Sequence, residues 1–502
     1  MKRITQEEFD DAVDEMVEGL GLEPNEAVQA AIEEYDIQGV SLEGIIKQVK
    51  GAQVLANMPT ANMATELKRV LEREDQDKDV REGVQGLKEE LLRALEEDDE
   101  GKKAQLFLAS AKKGSVESLF AVCDRAEAES DRQLLSLALG TLKLQLESDH
   151  ARDHFVEGKG PRRMMMKLEE CGKDDATPED VALLDLLLEV SAISMKEQEE
   201  GKCNFMSDGL PKLLAANLGR YGDKGTHSKT NVEACCSCIK GILTADDTRP
   251  TPLALEAQFG GEFMKALSMD KDGVTSALMS CFEVNMHAKE IEEPARRDVM
   301  RSLAIAMRKI ALNDEICKKF VEEKPNCIPM LLSVLRSSAG SAAAKSKDVA
   351  MSVLMLLKQI SACDTVKKKL IESEAIEMAI EIFEGHDKEN NLTASSTTVI
   401  QSLLYILTNI ALRNPDVAEH FADCGGFDFV FEFIAKYLDK PKLMKQCCML
   451  LRNCAVRSAK VKALLLKAGM EKQVRAIQEQ HQKICNDVAI AALRDMGVEN
   501  YN

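Results

Sequence analysis

Apolar residues recur with helical spacing from residue 84 to residue 498, and no alternating strand pattern stands out. The clearest stretch spans residues 401–434, in which one long apolar face is followed by a break at Asn414 and a double glycine at Gly425. A short helix is therefore expected between two longer ones.

The same pattern recurs, with Asn409 and Asn453 each sixteen residues before a glycine. Six more segments align at this position, where they carry Thr141, Glu189, Gly241, Lys309, Gln359 and Asp495. The intervals run from 42 to 52 residues, except for one of 68 that indicates an insertion between residues 243 and 301. Such periods are close to the roughly 40–47 residues of stacked helical repeats.

The positions two before and one after the aligned residue are apolar, so they share a helical face that only a neighbouring repeat can cover. A glycine between the first and second helices, as at Gly209, Gly426 and Gly469, permits a sharp turn. The pattern therefore predicts an all-α fold, an α-α superhelix of about eight three-helix units over residues 84–498.

Two segments are predicted to precede this array. Residues 1–50 read as an acidic helical arm, with a capping box at Thr5 and Glu8 and an apolar stripe that includes Phe9 and Val13. The first 60 residues contain 13 acidic and 4 basic side chains. Residues 51–83 are expected to be a linker with one weak helix.

Composition limits the partners. The 502 residues carry a net charge of −20, which disfavours nucleic acid and anionic membranes as partners. The 15 cysteines fall among helical core positions, so buried thiols in a reducing compartment are expected. Because the N-terminus lacks an apolar segment and no run of 18 apolar residues occurs, we expect no signal peptide, no membrane span and a cytoplasmic location, with the nucleus as an alternative.

Three helices per unit with a short first helix resemble the armadillo repeat, whose superhelix is right-handed. The N-terminal sequences KRITQEEFDDAV and NEAVQAAIEEYDIQGVSLEGIIK, and the C-terminal sequences CCMLLRNCAVRS and DVAIAALRDMG, resemble the armadillo repeat-containing protein 6 family. The resemblance implies a superhelix that acts in protein interaction, and it implies no enzyme activity.

In armadillo peptide receptors such as importin-alpha, an Asn at the aligned position binds a peptide backbone beside a Trp four residues earlier. Here Asn409 and Asn453 retain the Asn, whereas Tyr405 and Met449 stand at the Trp position. The chain contains no Trp, which argues against recognition of basic nuclear-import signals. Hydrogen bonding inside the repeat is the alternative role of the two asparagines.

A basic row borders the same face, one position before the aligned residue. Its members are Lys240, Arg308, Lys358, Arg452 and Arg494, with Lys309 beside them and Thr408 interrupting. This row is a candidate site for an acidic peptide or helix, or for the acidic arm of the chain itself. The alternative is that these cations only complement helix C-termini.

No catalytic site is expected. Cys235 and Cys238 form a C-x-x-C motif, but no second cysteine pair completes a zinc site, and no phosphate-binding or nucleophile motif occurs. We therefore expect no metal, no cofactor and no small-molecule substrate. The predicted function is a non-catalytic scaffold that binds a partner protein along an inner groove. The alternative is an Hsp70-type co-chaperone that acts as a nucleotide-exchange factor.

Overall fold

A computed structural model describes residues 2–20, 22–48, 51–73, 77–172, 177–221, 226–247, 259–287, 294–339, 347–387 and 393–501. Apart from one pair of two-residue strands, the regular secondary structure of these residues is helical. The fold is the predicted all-α armadillo superhelix. No described helix combines the length and the hydropathy needed to cross a membrane.

The N-terminal arm has its own small core. It consists of β1 (Lys2–Arg3), α1 (Gln6–Leu20), α2 (Pro24–Ile37) and β2 (Val40–Ser41), and the two strands pair in parallel. The predicted capping box forms, because the Thr5 amide donates to Glu8 and the Glu8 amide donates to the Thr5 hydroxyl. Buried Phe9 and Val13 pack against the second helix and Leu42.

Nine helix triplets follow the arm in the described residues. They are α3–α5 (Gly51–Ala56, Pro59–Glu72, Asp77–Leu95), α6–α8 (Glu100–Lys112, Ser115–Ala128, Arg132–Gln145), α9–α11 (Asp149–Glu157, Gly160–Cys171, Pro178–Ser194), α12–α14 (Glu199–Ser207, Leu210–Tyr221, Thr226–Ile242), α15–α17 (Gly261–Lys271, Val274–His287, Pro294–Ile310), α18–α20 (Asp314–Glu322, Cys327–Ala339, Lys347–Ile360), α21–α23 (Asp364–Glu372, Ala375–Asp387, Ala394–Ala411), α24–α26 (Pro415–Asp423, Gly426–Lys436, Pro441–Ala455) and α27–α29 (Ala459–Lys467, Met470–Gln480, Gln482–Met496). The triplet α3–α5 was not among the units predicted from the sequence.

The described residues between 51 and 83 form helices rather than a linker, and this part of the prediction is wrong. Helix α4 packs against α5, α6 and α7, and it buries Ala61, Ala64 and Leu67 completely. Small residues make close helix packing easy while contributing little hydropathy, which is why the segment looked weakly patterned. The other predicted boundaries, at residues 50 and 498, stay predictions.

Polar caps define where several first helices begin. Asp99, Ser148, Asn313 and Ser458 each accept a hydrogen bond from a backbone amide in the first turn of the following helix. A cap of this kind satisfies one of the amides that a helix leaves without an internal partner. The repeat thus encodes its short helices locally.

The corner between first and second helices contains a left-handed residue in seven triplets. These residues are Gly114, Lys159, Gly209, Gly273, Glu374, Gly425 and Gly469. The predicted turn positions Gly209 and Gly469 are confirmed. At the double glycine, however, Gly425 adopts the left-handed conformation, with φ of 78°. Gly426 is needed for a different reason, because a Cβ there would lie 2.3 Å from the Phe421 ring.

The chain divides into two compact units. The first contains Met1–Asn217 and Ala234–Ser268, and the second contains Leu218–Glu233 and Met269–Asn502. Within the second unit, the long helices α17, α20, α23, α26 and α29 pack in sequence. Their predicted apolar positions, such as Leu407 and Ile410, are buried. The 68-residue interval reflects the long connection from Ile242 to Gly261, part of which lies outside the described residues.

Candidate protein-binding face

The long helices of the second unit bring several predicted site residues together. Tyr405 and Asn409 lie one turn apart on α23, and both are half-buried. The Lys358 ammonium, on α20, lies 4.9 Å from the centroid of the Tyr405 ring. A cation over an aromatic face is attracted by the ring quadrupole, by about 0.5–1 kcal/mol at an exposed site. One aromatic, one cation and one amide therefore form a cluster across two repeats.

Asn409 and Asn453 bond across the junction between consecutive repeats. The Asn409 amide donates to the Ser361 hydroxyl at 2.9 Å, and the Asn453 amide donates to the Thr408 carbonyl at 2.9 Å. Gln359 makes the same kind of bond, to the Ala311 carbonyl at 3.2 Å. The aligned position therefore has a structural role, and its bonds reach the preceding repeat rather than staying within one.

These bonds use only the Nδ2 group of each asparagine side chain. Among the described residues, nothing donates a hydrogen bond to the Oδ1 atom of Asn409 or Asn453. An amide side chain provides two donors and an acceptor. Each asparagine can therefore join two repeats and still accept a hydrogen bond from a backbone N–H of a ligand.

Charged residues take over the aligned position in other repeats. The Lys143 ammonium lies 2.8 Å from Glu189, and the Arg452 guanidinium lies 3.1 Å from Asp495. Asp495 also accepts from Arg494 at 3.0 Å, and this hydrogen bond raises the pKa of Arg494. Two cations of the basic row thus share a carboxylate that is only 11% exposed.

The other cations of the basic row have fewer carboxylate partners than Arg452 and Arg494. Among the described residues, no carboxylate pairs with Lys240, Arg308 or Lys358. Lys240 is exposed and belongs to the first unit, whereas Arg308, Lys309 and Lys358 are half-buried in the second. The positive charge of the second unit is therefore more available at Arg308 and Lys358 than at its C-terminal end.

Thr408 interrupts the row because it is used inside the fold. Its hydroxyl donates to the Leu404 carbonyl at 2.6 Å and accepts from Gln446 at 2.8 Å, and the residue is 4% exposed. Met449 lies one turn before Asn453 on α26 and is half-buried. The face between the two asparagines is thus apolar and amide-rich rather than basic.

The cysteines follow the prediction of buried thiols. Thirteen of the 15 are buried, and Cys171 and Cys424 are half-buried. In the C-x-x-C motif, the Cys238 thiol donates to the Leu188 carbonyl at 3.3 Å. Burial raises the pKa of Cys447 to about 12, which keeps it a thiol at neutral pH.

Helix α9 carries a pair of histidines that was not predicted from the sequence. His150 and His154 are four residues apart, the spacing that places two side chains on one helical face, and their Nε2 atoms lie 3.3 Å apart. They line a cavity of about 920 Å³ in the first unit. The hydrogen bond that His154 donates to the Glu117 carboxylate raises the pKa of His154, whereas burial lowers the pKa of His150. The i, i+4 spacing was the available signal.

The arm makes its described contacts within the first unit. Glu7 pairs with Lys112 of α6 at 2.7 Å, and Gln105 of the same helix donates to the Ile45 carbonyl at 3.4 Å. Contact between the arm and the basic row stays a prediction. The packing of the arm on α6 and α3 is what the structure describes for it.

Known armadillo repeat proteins are similar to this chain in sequence and in fold. Residues 1–79 match the family model of the armadillo repeat-containing protein 6 N-terminal domain. Armadillo repeat-containing protein 6 of Pongo abelii is 24% identical over 425 residues, covering 83% of this chain and 75% of that protein. The Drosophila melanogaster homologue is 22% identical, covering 84% and 80%. The chain is therefore similar to the armadillo repeat-containing protein 6 family, and its residues 1–79 are similar to the N-terminal domain of that family.

The part of the chain that matches the N-terminal domain of the armadillo repeat-containing protein 6 family extends beyond the arm, because it includes α3 and α4. Two solved structures share the fold. An engineered protein superposes with a TM-score of 0.58 at 14% identity, covering 98% of this chain and 99% of its own. A chain from work on a phosphorylation switch between cadherin and beta-catenin has a TM-score of 0.51 at 12% identity, covering 86% and 82%.

Proposed function

We propose that this chain is a protein-interaction scaffold, and that a partner protein binds to the face formed by α17, α20, α23 and α26. The observation that carries the proposal is the cluster of Lys358, Tyr405 and Asn409. Its side chains contact neighbouring repeats and are only half-buried, so part of each remains accessible to a ligand.

An extended peptide segment suits this face. Tyr405 and Met449 provide apolar surface one turn before each asparagine, and the Oδ1 atoms of Asn409 and Asn453 provide acceptors for peptide N–H groups. Side chains of an extended segment alternate between two faces, so every second one can contact the apolar positions. Backbone hydrogen bonds then supply affinity, and the apolar contacts supply selectivity.

The charges favour a partner segment with acidic residues at one end. Arg308 and Lys358 have no described carboxylate partner, whereas Arg452 and Arg494 share Asp495. An acidic side chain near Arg308 or Lys358 gains attraction without displacing an existing ion pair. Complementary charge mainly raises the association rate and the specificity, so binding should weaken as salt increases.

Charge reversal tests the location of binding. The triple variant Arg308→Glu, Lys358→Glu and Arg452→Glu should lose partner capture from cell extract, with captured proteins identified by mass spectrometry. The matched control is Lys318→Glu, Lys368→Glu and Lys467→Glu, which changes the charge equally on the exposed first helices α18, α21 and α27. Equal loss in both variants would exclude a specific role of the basic row.

Site-specific crosslinking tests the face directly. A photoreactive phenylalanine analogue at Met449 should crosslink the partner retained by the unmodified chain. The same analogue at Leu464, an exposed position on α27, should not. Crosslinking of the same protein at both positions, or only at Leu464, would contradict the proposed face.

A further inference from the structure

A cluster of possible metal ligands lies where α22 of one repeat meets α24 of the next, within the second unit. In the described part of the chain, one group of three His, Cys, Asp or Glu side chains holds its donor atoms within 4.8 Å of one another. Its members are Glu377 on α22, His420 on α24 and Cys424, which directly follows α24. None of the three belongs to the proposed protein-binding face.

The donor spacing fits a metal ion. The distance from His420 Nε2 to Cys424 Sγ is 3.7 Å, and tetrahedral zinc with ordinary Zn–N and Zn–S bond lengths separates those two atoms by about 3.6 Å. Glu377 Oε1 lies 2.7 Å from the same nitrogen, which is a hydrogen-bond distance. The Glu377 side chain is 35% exposed. Its Oε1 atom needs to move only about 0.6 Å away from His420 Nε2 for Glu377 to act as a third ligand.

Aromatic packing holds the two helices that carry these donors. Phe383 of α22 stacks on Phe429 of α25 with ring centroids 4.4 Å apart. Phe421 of α24 meets Phe427 of α25 edge to face at 5.1 Å. Both ligand-bearing helices are therefore fixed on a common helix, so the donor set is organised before any ion binds. Preorganisation of this kind reduces the entropy cost of binding.

We propose that Glu377, His420 and Cys424 bind a zinc ion, with water as the fourth ligand. Thiolate and imidazole donors select borderline-soft ions such as Zn²⁺ over Mg²⁺ or Ca²⁺. On binding, the Cys424 thiol releases its proton to solvent, and the neutral His420 and the Glu377 carboxylate each donate an electron pair. The bound ion joins α22 of one repeat to α24 of the next.

Cobalt spectroscopy tests the site in the full-length protein. The chain, kept reduced and freed of metal, is titrated with Co²⁺, which should produce a thiolate-to-cobalt charge-transfer absorption at one equivalent. Zn²⁺ should abolish this absorption by displacement, and Mg²⁺ should not. Because the absorption requires sulfur, Co²⁺ bound at His150 and His154 does not contribute to it.

Three variants and one control assign the ligands. Cys424→Ser should abolish the absorption, and His420→Ala should abolish it or shift its titration beyond measurement. Glu377→Gln should weaken cobalt binding by about tenfold or more, by analogy with the loss caused when groups that support a metal ligand are removed. The control is Cys171→Ser, which removes the other half-buried cysteine and should leave the absorption unchanged.

Two outcomes would overturn the proposed zinc site. Absence of the absorption in the unmodified protein excludes the site, and its persistence in Cys424→Ser assigns the thiolate elsewhere. Far-ultraviolet circular dichroism of each variant shows whether the helices remain folded. If Cys424→Ser does not fold, the Glu377→Gln titration tests the site instead, because a substitution at a 35% exposed side chain leaves the core intact. Unchanged cobalt affinity in Glu377→Gln would then exclude Glu377 as a ligand and overturn the proposed site.

Discussion

The side-chain amide of Asn453 donates a hydrogen bond to the backbone carbonyl of Thr408, 2.9 Å away, and so ties α26 to α23. Asn409 makes the corresponding bond to Ser361. The two residues with the most distinctive pattern in the sequence are thus structural links as well as candidate ligand contacts. Partner binding at their Oδ1 atoms would act directly on the junctions between repeats.

Asn453→Ala should loosen the junction between α23 and α26. The substitution removes one hydrogen bond to a partly buried carbonyl, and such a bond contributes about 1 kcal/mol. Hydrogen exchange measured by mass spectrometry should show faster exchange in both helices. Arg457→Ala, at a nearby exposed position, serves as the control. Unchanged protection in Asn453→Ala would show that the bond contributes nothing to the junction.

Gly426→Ala should destabilise the corner between α24 and α25 by about 1–3 kcal/mol, as overpacking of a core does. The added Cβ would lie 2.3 Å from the Phe421 ring, which is 2% exposed and has little room to move. Urea denaturation measures the loss. In a Phe421→Leu background the same substitution should cost less, because the clashing ring atoms are gone. Equal costs in both backgrounds would contradict the steric explanation.

Glu117→Gln should destabilise the protein more at about pH 6 than at about pH 8. The Glu117 hydrogen bond raises the pKa of His154, so its stabilisation is fully present below the unfolded histidine pKa and is lost as pH rises through the folded pKa. The same bond lowers the pKa of Glu117, so at the acid end stability is lost as that carboxylate protonates. Urea unfolding at the two pH values measures the difference.

The groups around His154 affect the size of this pH effect. Asp153 and Glu157 also raise its pKa, whereas the neighbouring His150 has a lowered pKa because of burial, His154 and Lys112. Glu129→Gln provides a matched control, because it removes an ion pair with Arg125, whose charge does not change in this range. A pH-independent effect of Glu117→Gln would show that Glu117 does not raise the pKa of His154 in the folded protein.

Lys202→Ala should destabilise the first unit by about 1–3 kcal/mol, the cost of leaving the Thr244 carbonyl and the Asp246 carboxylate without their donor. The Lys202 side chain is fully buried; its ammonium donates to the Thr244 carbonyl at 2.5 Å and pairs with Asp246. Thermal unfolding should show the loss. Lys212→Ala, an exposed lysine on α13, should have little effect. Similar melting curves for the two variants would show that the buried lysine is not needed for stability.

Local features of the repeat were predictable from the sequence. The capping box of Thr5 and Glu8 forms as expected, and the apolar positions flanking Asn409 are buried. These features depend on residues three or four apart, which a helix places side by side whatever surrounds it. The segment 51–83 was misjudged because Ala61 and Ala64 carry little hydropathy, and only their packing reveals them as core.

The site depends on residues far apart in the chain. Lys358 and Tyr405 are 47 positions apart, and the ion pair of Arg452 with Asp495 spans 43. Periodicity placed Lys358 and Arg452 in one row. It did not show that Asp495 neutralises part of that row, or that Thr408 is buried and accepts a hydrogen bond from Gln446. Those facts depend on the rotation and the offset of one helix against the next.

The helical class, the repeat and the faces on which the repeats stack can be predicted without a structure, because they follow from residue spacing along one helix. The hydrogen bonds across repeat junctions, the ion pairing along the basic row and the contact of Glu377 with His420 and Cys424 emerge only in the folded chain. Hydrogen bonds and ion pairs need atoms within about 3–4 Å, and packing between helices sets that distance.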